Sequence, residues 1–306
     1  IYIYIMNISS TILHVRSKDA SSFPNGSFQR TNFEITLNTE INCLDNEQFE
    51  IKVSSLECPY SFYSTNLTNN ILQIREVNFA IRNIEIPEGN YNIYELIEEI
   101  QTLMNNTTQI NATYTFTYNH ITNEVTIQTS STTACKFLFN SGSESNNLDN
   151  PNGKSIAKQI GFMGDIDINI TNSESATSFS RVDLITIHSL YLRSSIALGN
   201  TLTSETGSQS TILAKIPIEC NPLEMIYFKN DQTGSGKTFI NDKNIRKLNF
   251  ILTDQNGNII ELGDDINFEF TIVFIVHKKD HSLRINTVRP RNQFINKILT
   301  DENIVK

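Results

Sequence analysis

The sequence predicts a mainly β protein, two antiparallel layers packed on each other with a small α+β unit inserted part-way along. Three observations predict it. Runs such as Phe268, Phe270, Ile272, Phe274 and Val276 place apolar side chains on one face of a strand, with Asn267, Glu269 and Thr271 on the other. Such runs occupy both ends of the chain, while a helical stripe stands between them. Composition agrees, because Ile, Thr, Asn, Ser and Phe are plentiful, Ala is scarce and Trp is absent.

Taken in order, residues 8–15 form an arm or a leading strand before the Phe23-Pro-Asn-Gly26 turn signal. Phe33, Ile35 and Leu37 alternate with polar neighbours, as do Phe49, Ile51 and Val53, and residues 71–75 are expected to add a third strand to this first block. Next, Ile93, Leu96, Ile97, Ile100, Leu103 and Met104 recur at intervals of three and four, one apolar helix face. Asn92 is a good N-cap, with Glu95 placed to close a capping box, and Asn105-Asn106 ends the helix. A hairpin pairs Tyr114, Phe116 and Tyr118 with Val125 and Ile127. A short strand at residues 135–139 follows, and after a polar loop a helical turn ends at Ile160-Gly-Phe162.

Long strands resume with residues 182–193, 211–218 and 225–228. Leu248, Phe250 and Leu252 lead through the tight turn Asp254-Gln-Asn-Gly257 to residues 259–262, and the final strand follows. Eight or nine strands outside the insertion is the number expected of a single jelly-roll β-sandwich. The expected division is jelly roll, first part, 27–80; inserted outer domain, 81–179; jelly roll, second part, 180–279; and a basic C-terminal tail, 280–306.

At 306 residues the chain can bury a core without disulfide or metal staples. Cys43, Cys58, Cys135 and Cys220 lie far apart without CxxC spacing, so they read as free thiols. No run of about eighteen apolar residues could span a bilayer. Residues 1–5 are too short and lack the basic start of a signal peptide, which makes Met6 the expected natural start. The net charge of −9 is uneven: residues 278–306 carry seven basic against three acidic side chains, leaving −13 on the rest. An acidic body repels phosphate backbones, so nucleic acid is an expected partner only for the tail, if at all.

Several stretches imitate chemistry. Gly234-Ser-Gly-Lys-Thr238 resembles a phosphate loop, yet Asp231 stands where the leading Gly is needed and no helix follows. His277 and His281 have zinc spacing for a helix but fall on a strand, about 13 Å apart at 3.3 Å per residue. His188 shares its face with Leu184, Leu190 and Leu192 and is expected inside the protein or at an interface. Asp165-Ile-Asp-Ile-Asn169 offers alternate oxygens but lacks the glycine and distal Glu of a calcium loop, and reads as a strand with an acidic outer face. Asp264-Asp265 falls in a turn and Glu98-Glu99 on a helix's solvent side. No catalytic, cofactor-binding or metal residues, and no cofactor, are therefore expected, and the protein is not expected to be an enzyme.

Glu57-Cys-Pro-Tyr-Ser-Phe-Tyr63, Asn69-Asn70, Ile84-Glu-Ile-Pro-Glu-Gly-Asn-Tyr91 before the capped helix, Ile160-Gly-Phe162, Ile212-Leu-Ala-Lys-Ile-Pro-Ile218 and Leu252-Thr-Asp-Gln-Asn-Gly257 occur in this order. Together they resemble the minor capsid (penton) proteins of virophages and maverick/polinton-type DNA viruses, over about residues 33–279. In length the chain resembles a mavirus-like penton in particular. The residues before Met6 depart from that pattern. The resemblance implies a single jelly roll with an outer inserted domain. It further implies a homopentamer at the vertices of an icosahedral virion, with a double-jelly-roll major capsid protein as partner, assembled in the cytoplasm of the infected host cell. The loop 141–153 is then a candidate outer tip for a host receptor or glycan. The alternative expectation is a jelly-roll glycan- or receptor-binding spike module, for which Tyr118 is the candidate aromatic platform.

Overall fold

The computed structural model describes residues 10–24, 30–77, 79–107, 112–131, 134–139, 154–163, 166–171, 174–197, 201–202, 209–230 and 237–278. The 141–153 loop and the 280–306 tail lie outside the described residues.

In chain order the elements begin with β1 (Ser10–Arg16), β2 (Asn32–Asn42), β3 (Glu47–Pro59), β4 (Ile71–Glu76) and β5 (Arg82–Glu85), then helix α1 (Ile93–Asn106). There follow β6 (Tyr114–Asn119), β7 (Glu124–Thr129), β8 (Cys135–Phe137), β9 (Ile168–Ile170) and β10 (Ser175–Thr177). The chain continues through β11 (Ser189–Arg193), the short pair β12 (Thr201–Leu202) and β13 (Gln209–Ser210), β14 (Ile212–Pro217), β15 (Met225–Lys229), β16 (Lys237–Ile240), β17 (Asn244–Thr253) and β18 (Glu269–Lys278).

Two of the sheets make a sandwich. One runs β1-β18-β3-β15, with β16 also on β3; the other runs β14-β11-β17-β2. With β15 and β16 counted as one interrupted strand, the sandwich strands are eight in chain order. Each sheet then interleaves early and late strands in the order of a jelly roll, second-last pairing included. Phe250 of β17 packs edge-on against Phe270 of β18 at 4.8 Å, so these two strands face each other across the layers. That alignment puts β1 and β2 on one flank of the sandwich and β14 and β15 on the other.

The sandwich core is built from inward-facing residues such as Phe33, Phe49, Ile51, Val53, Leu56, Leu190, Leu192, Phe250, Phe268, Phe270 and Ile272. On β3 the buried positions change parity between Val53 and Leu56. The cause is a bulge: Thr271 pairs with Ser55 and Ile272 with Val53, so Ser54 is extra and the next residues rotate back to the core face.

A second core lies between β3 and β11 in sequence. There α1 buries Ile93, Leu96, Ile97, Ile100 and Met104 with Tyr114, Phe116, Val125 and Ile127 of the hairpin and Leu72, Ile74 and Phe137 of the sheet β5-β4-β8-β9. Asn92 accepts from the amides of Tyr94 and Glu95, while Glu95 accepts from the Asn92 amide, the capping box that the sequence predicts. Gly161 has φ +81, and a Cβ there would stand 2.4 Å from the Ser180 carbonyl, so only glycine fits this turn.

Several expectations are corrected. Residues 71–75 do form a strand, but β4 pairs with β5 and β8, so it belongs to the second core rather than to the first block. The leading segment is the strand that the sequence allowed, paired with β18 from Ser10 to Arg16, so the sandwich begins ahead of the expected residue 27. The expected long strand over 182–193 is a strand only from Ser189 onward, because the amides of Val182 and Asp183 bond to Asn123 and Gln159 of the inserted lobe. Residues 259–262 form no named strand: they make a bridge at Ile259 and a backbone bond from Ile260 to Leu252.

Candidate interaction surfaces

The residues that imitate chemistry are held by other tasks. Lys237 and His277 both reach the Glu50 carboxylate, at 2.8 and 2.9 Å, and that side chain is only 4% exposed although it starts from the outer face of β3. Thr238 is buried in β16, so the lysine and threonine of the phosphate-loop lookalike serve strand packing; its glycines and Asp231 lie outside the described residues. His281 also lies outside them. Asp167 pairs with Lys136 at 3.2 Å, and Asp165 is not described. Glu98 is exposed on α1, and Asp265 holds a left-handed turn position at φ 60.

The interior placement of His188 is corrected. The side chain is exposed, and Ile187 takes the buried side, because residues 182–188 are outside the ladder whose alternation placed His188 with the leucines. Tyr118 is half-buried, donates to Asn123 Oδ1 at 2.6 Å and meets Tyr94 edge-on at 5.4 Å, so one ring face is already engaged.

The cysteines are free. Burial pushes the Cys58 thiol up to about 12, with Cys220 nearby adding to the effect. Burial also raises Cys135 and Cys220. Protonated thiols are poor nucleophiles, which argues against redox or acyl chemistry at these positions. Among the described residues no three His, Cys, Asp or Glu side chains gather as a metal site, and no helix is long and apolar enough to cross a membrane.

What the sandwich does expose is unpaired strand edge and apolar surface. β15 pairs only with β3, so its other edge is open among the described residues. Met225 and Tyr227 point outward on β15, Tyr227 72% exposed, and Leu223 in the turn before the strand is 90% exposed. Leu223 also has φ 70, a left-handed conformation that costs a bulky side chain about 1–2 kcal/mol. It is fixed there: Leu223 N donates to Tyr60 O, Tyr60 N to Glu224 O, and Asn221 N to the Glu224 carboxylate at 2.8 Å. Sequence alternation found β15 but not this turn, since nothing local demands a leucine at positive φ. On the opposite flank β1 presents Ile12, 59% exposed, along its open edge. The outer face of the other sheet gathers Arg193 and Lys215 over the Tyr191 ring, at 5.8 and 5.9 Å.

Between the two cores lies a cleft of about 1150 Å3 with mixed polar and apolar lining. One wall is the β17 turn around Asp254 to Asn258; the other comes from Lys154, Lys158 and the Arg181–His188 segment.

No family model matches the chain, and no curated protein matches it. Among solved structures it is similar to the mavirus penton protein, in a selenomethionine-labelled crystal structure, at a TM-score of 0.47 and 11% identity, covering 88% of this chain and 100% of that one. It is also similar to a chain of the Sputnik virophage cryo-EM structure at a TM-score of 0.40 and 12% identity, covering 88% and 98%. At such scores these likenesses add nothing to the strand order, which assigns the jelly roll on its own.

Proposed function

We propose that this chain is a capsid building block, the pentameric vertex protein of an icosahedral virion, and that it performs no catalysis. The observation that supports this most strongly is the β15 flank, where a strained, 90% exposed Leu223 and the outward Met225 and Tyr227 border an open strand edge. A locally strained residue held by its surroundings is a sign of function, and an apolar edge left in water invites association. The sandwich has two unlike flanks, β1 with β2 and β14 with β15, and a heterologous contact of one with the other closes into a ring. The motif order of residues 57–257 supports the same reading. In it the inserted lobe, β4 through β10, points outward, the basic tail, 280–306, runs beneath the shell or onto a neighbouring capsomer, and a double-jelly-roll capsid protein surrounds the ring. Replacing Leu223 and Tyr227 together by Ser tests it: pentamers and vertex occupancy fall while the monomer stays folded. Unchanged assembly would remove this flank from the contact. Truncation at Lys279 that leaves particles intact would remove the tail's role.

A second reading, a glycan- or receptor-binding module, is favoured by the cleft between the cores. A vertex protein can carry both roles.

A further inference from the structure

We infer that the cleft between the two cores is a binding site for an acidic oligosaccharide, one bearing carboxylate or sulfate groups; the inference rests on the glycan-binding reading and names its ligand class. The cleft is lined by three cations, Lys154, Lys158 and Arg181, and by His188. None of these four side chains has an ion pair or side-chain hydrogen bond among the described residues. The carboxylates that share the cleft are otherwise engaged. Asp254 accepts from the amides of Asn256 and Asn258 and from Asn258 Nδ2, all between 2.8 and 2.9 Å, and Asp183 accepts from the Ile185 amide. Three cations against two carboxylates leave the lining at +1 in a chain of net charge −9, a local sign reversal that favours an anion.

The rest of the lining is mixed, with Phe139, Phe162, Met163 and Ile187 beside polar side chains, an amphipathic surface of the kind a sugar ring also presents. Asn256 and Ser180 bring to the cleft side-chain groups that no described residue engages, while Asn66, Thr68, Asn69 and Gln255 are already bonded to their neighbours. Its walls are braced before any ligand arrives. Gln255 Nε2 donates to Thr186 O at 2.6 Å, its Oε1 accepts from the His188 amide, and Thr186 Oγ1 donates to Ser64 O at 2.6 Å. Gln159 accepts from Thr65 Oγ1 and donates to the same Ser64 carbonyl. Such bracing lowers the ordering cost of binding. The volume slightly exceeds the range of about 300–1,000 Å3 usual for small ligands, which suits a short oligosaccharide. A nucleic acid fits less well, since three cations neutralise too few phosphates against an acidic body.

Isothermal titration of the full chain with a sulfated heparin-derived hexasaccharide, a sialylated trisaccharide, the matching neutral trisaccharide and inorganic phosphate tests this. At least one acidic sugar binds about tenfold or more tightly than the neutral one and than phosphate, and its affinity falls as salt rises. Lys158→Ala with Arg181→Ala, both exposed, lowers that affinity about tenfold or more with the circular dichroism spectrum unchanged. Equal binding of the neutral sugar, binding of phosphate alone, undiminished binding by the double variant, or no binding at millimolar sugar overturns the inference. Assembly is read separately on particles, so failure here leaves the vertex reading standing, and failure there leaves the cleft standing.

Discussion

The sandwich closes on residues from the two ends of the chain, whereas the inserted lobe closes on its own neighbourhood. Phe33 of β2 packs against Phe268 and Phe250 at 5.9 and 5.8 Å, and β1 zips along β18. The lobe's core, by contrast, draws its buried residues from between Leu72 and Ile170. The difference is one of loop-closure entropy: the sandwich gains its contacts only after long-range pairing, while the lobe's helix and hairpin meet early. One chain thus combines a slow, non-local frame with a local unit held between its third and fourth sandwich strands.

If that contrast is right, core damage acts locally. Phe33→Ala, at a fully buried site with two ring contacts, lowers stability by about 3–5 kcal/mol in urea denaturation. Hydrogen exchange then rises in β2, β17 and β18 before it rises in α1. Gly161→Ala has the mirror effect: roughly 1–3 kcal/mol of strain appears in the lobe, and α1 and the β6–β7 hairpin lose protection first. Simultaneous loss of protection in both cores, from either variant, would show a single cooperative unit and break the comparison. A smaller change, Asn92→Ala, removes the cap acceptor of α1 and costs about 1 kcal/mol within the lobe, measured in the same way.

The smallest effect concerns pH in the sandwich. The Cys58 thiol is raised in the folded state, from 9.0 to about 12, so the folded form holds its proton where the unfolded form has lost it. Its contribution is fully present below pH 9.0 and is lost as pH rises toward 12. Cys58→Ala therefore flattens the alkaline limb of the stability curve. A limb as steep as that of the unaltered protein would assign the alkaline loss to other groups.

Legibility in the sequence followed the range of the interaction. The α1 stripe and its capping box were readable because every partner lies within one turn, and the β6–β7 hairpin because its arms are adjacent. The alternation of β18 gave the class of fold. The partners of β4 were not readable, since apolar alternation says that a strand is half-buried and not which sheet completes it. His188 was misplaced by one residue of phase, because alternation was extended across a segment that bonds to the inserted lobe instead of a strand. The strained Leu223 and the cleft were invisible for the same reason: their geometry is imposed by Tyr60 and Glu224 in one case, and by several separated stretches of chain in the other.

Self-association around a five-fold axis is the claim on which the functional account turns. Cryo-electron microscopy of particles formed by this chain with a double-jelly-roll capsid protein tests it most directly. The account predicts five copies at each vertex, with the β14–β15 flank of one copy against the β1–β2 flank of the next. Particles whose vertices lack this chain, or hold it through the inserted lobe alone, would contradict it.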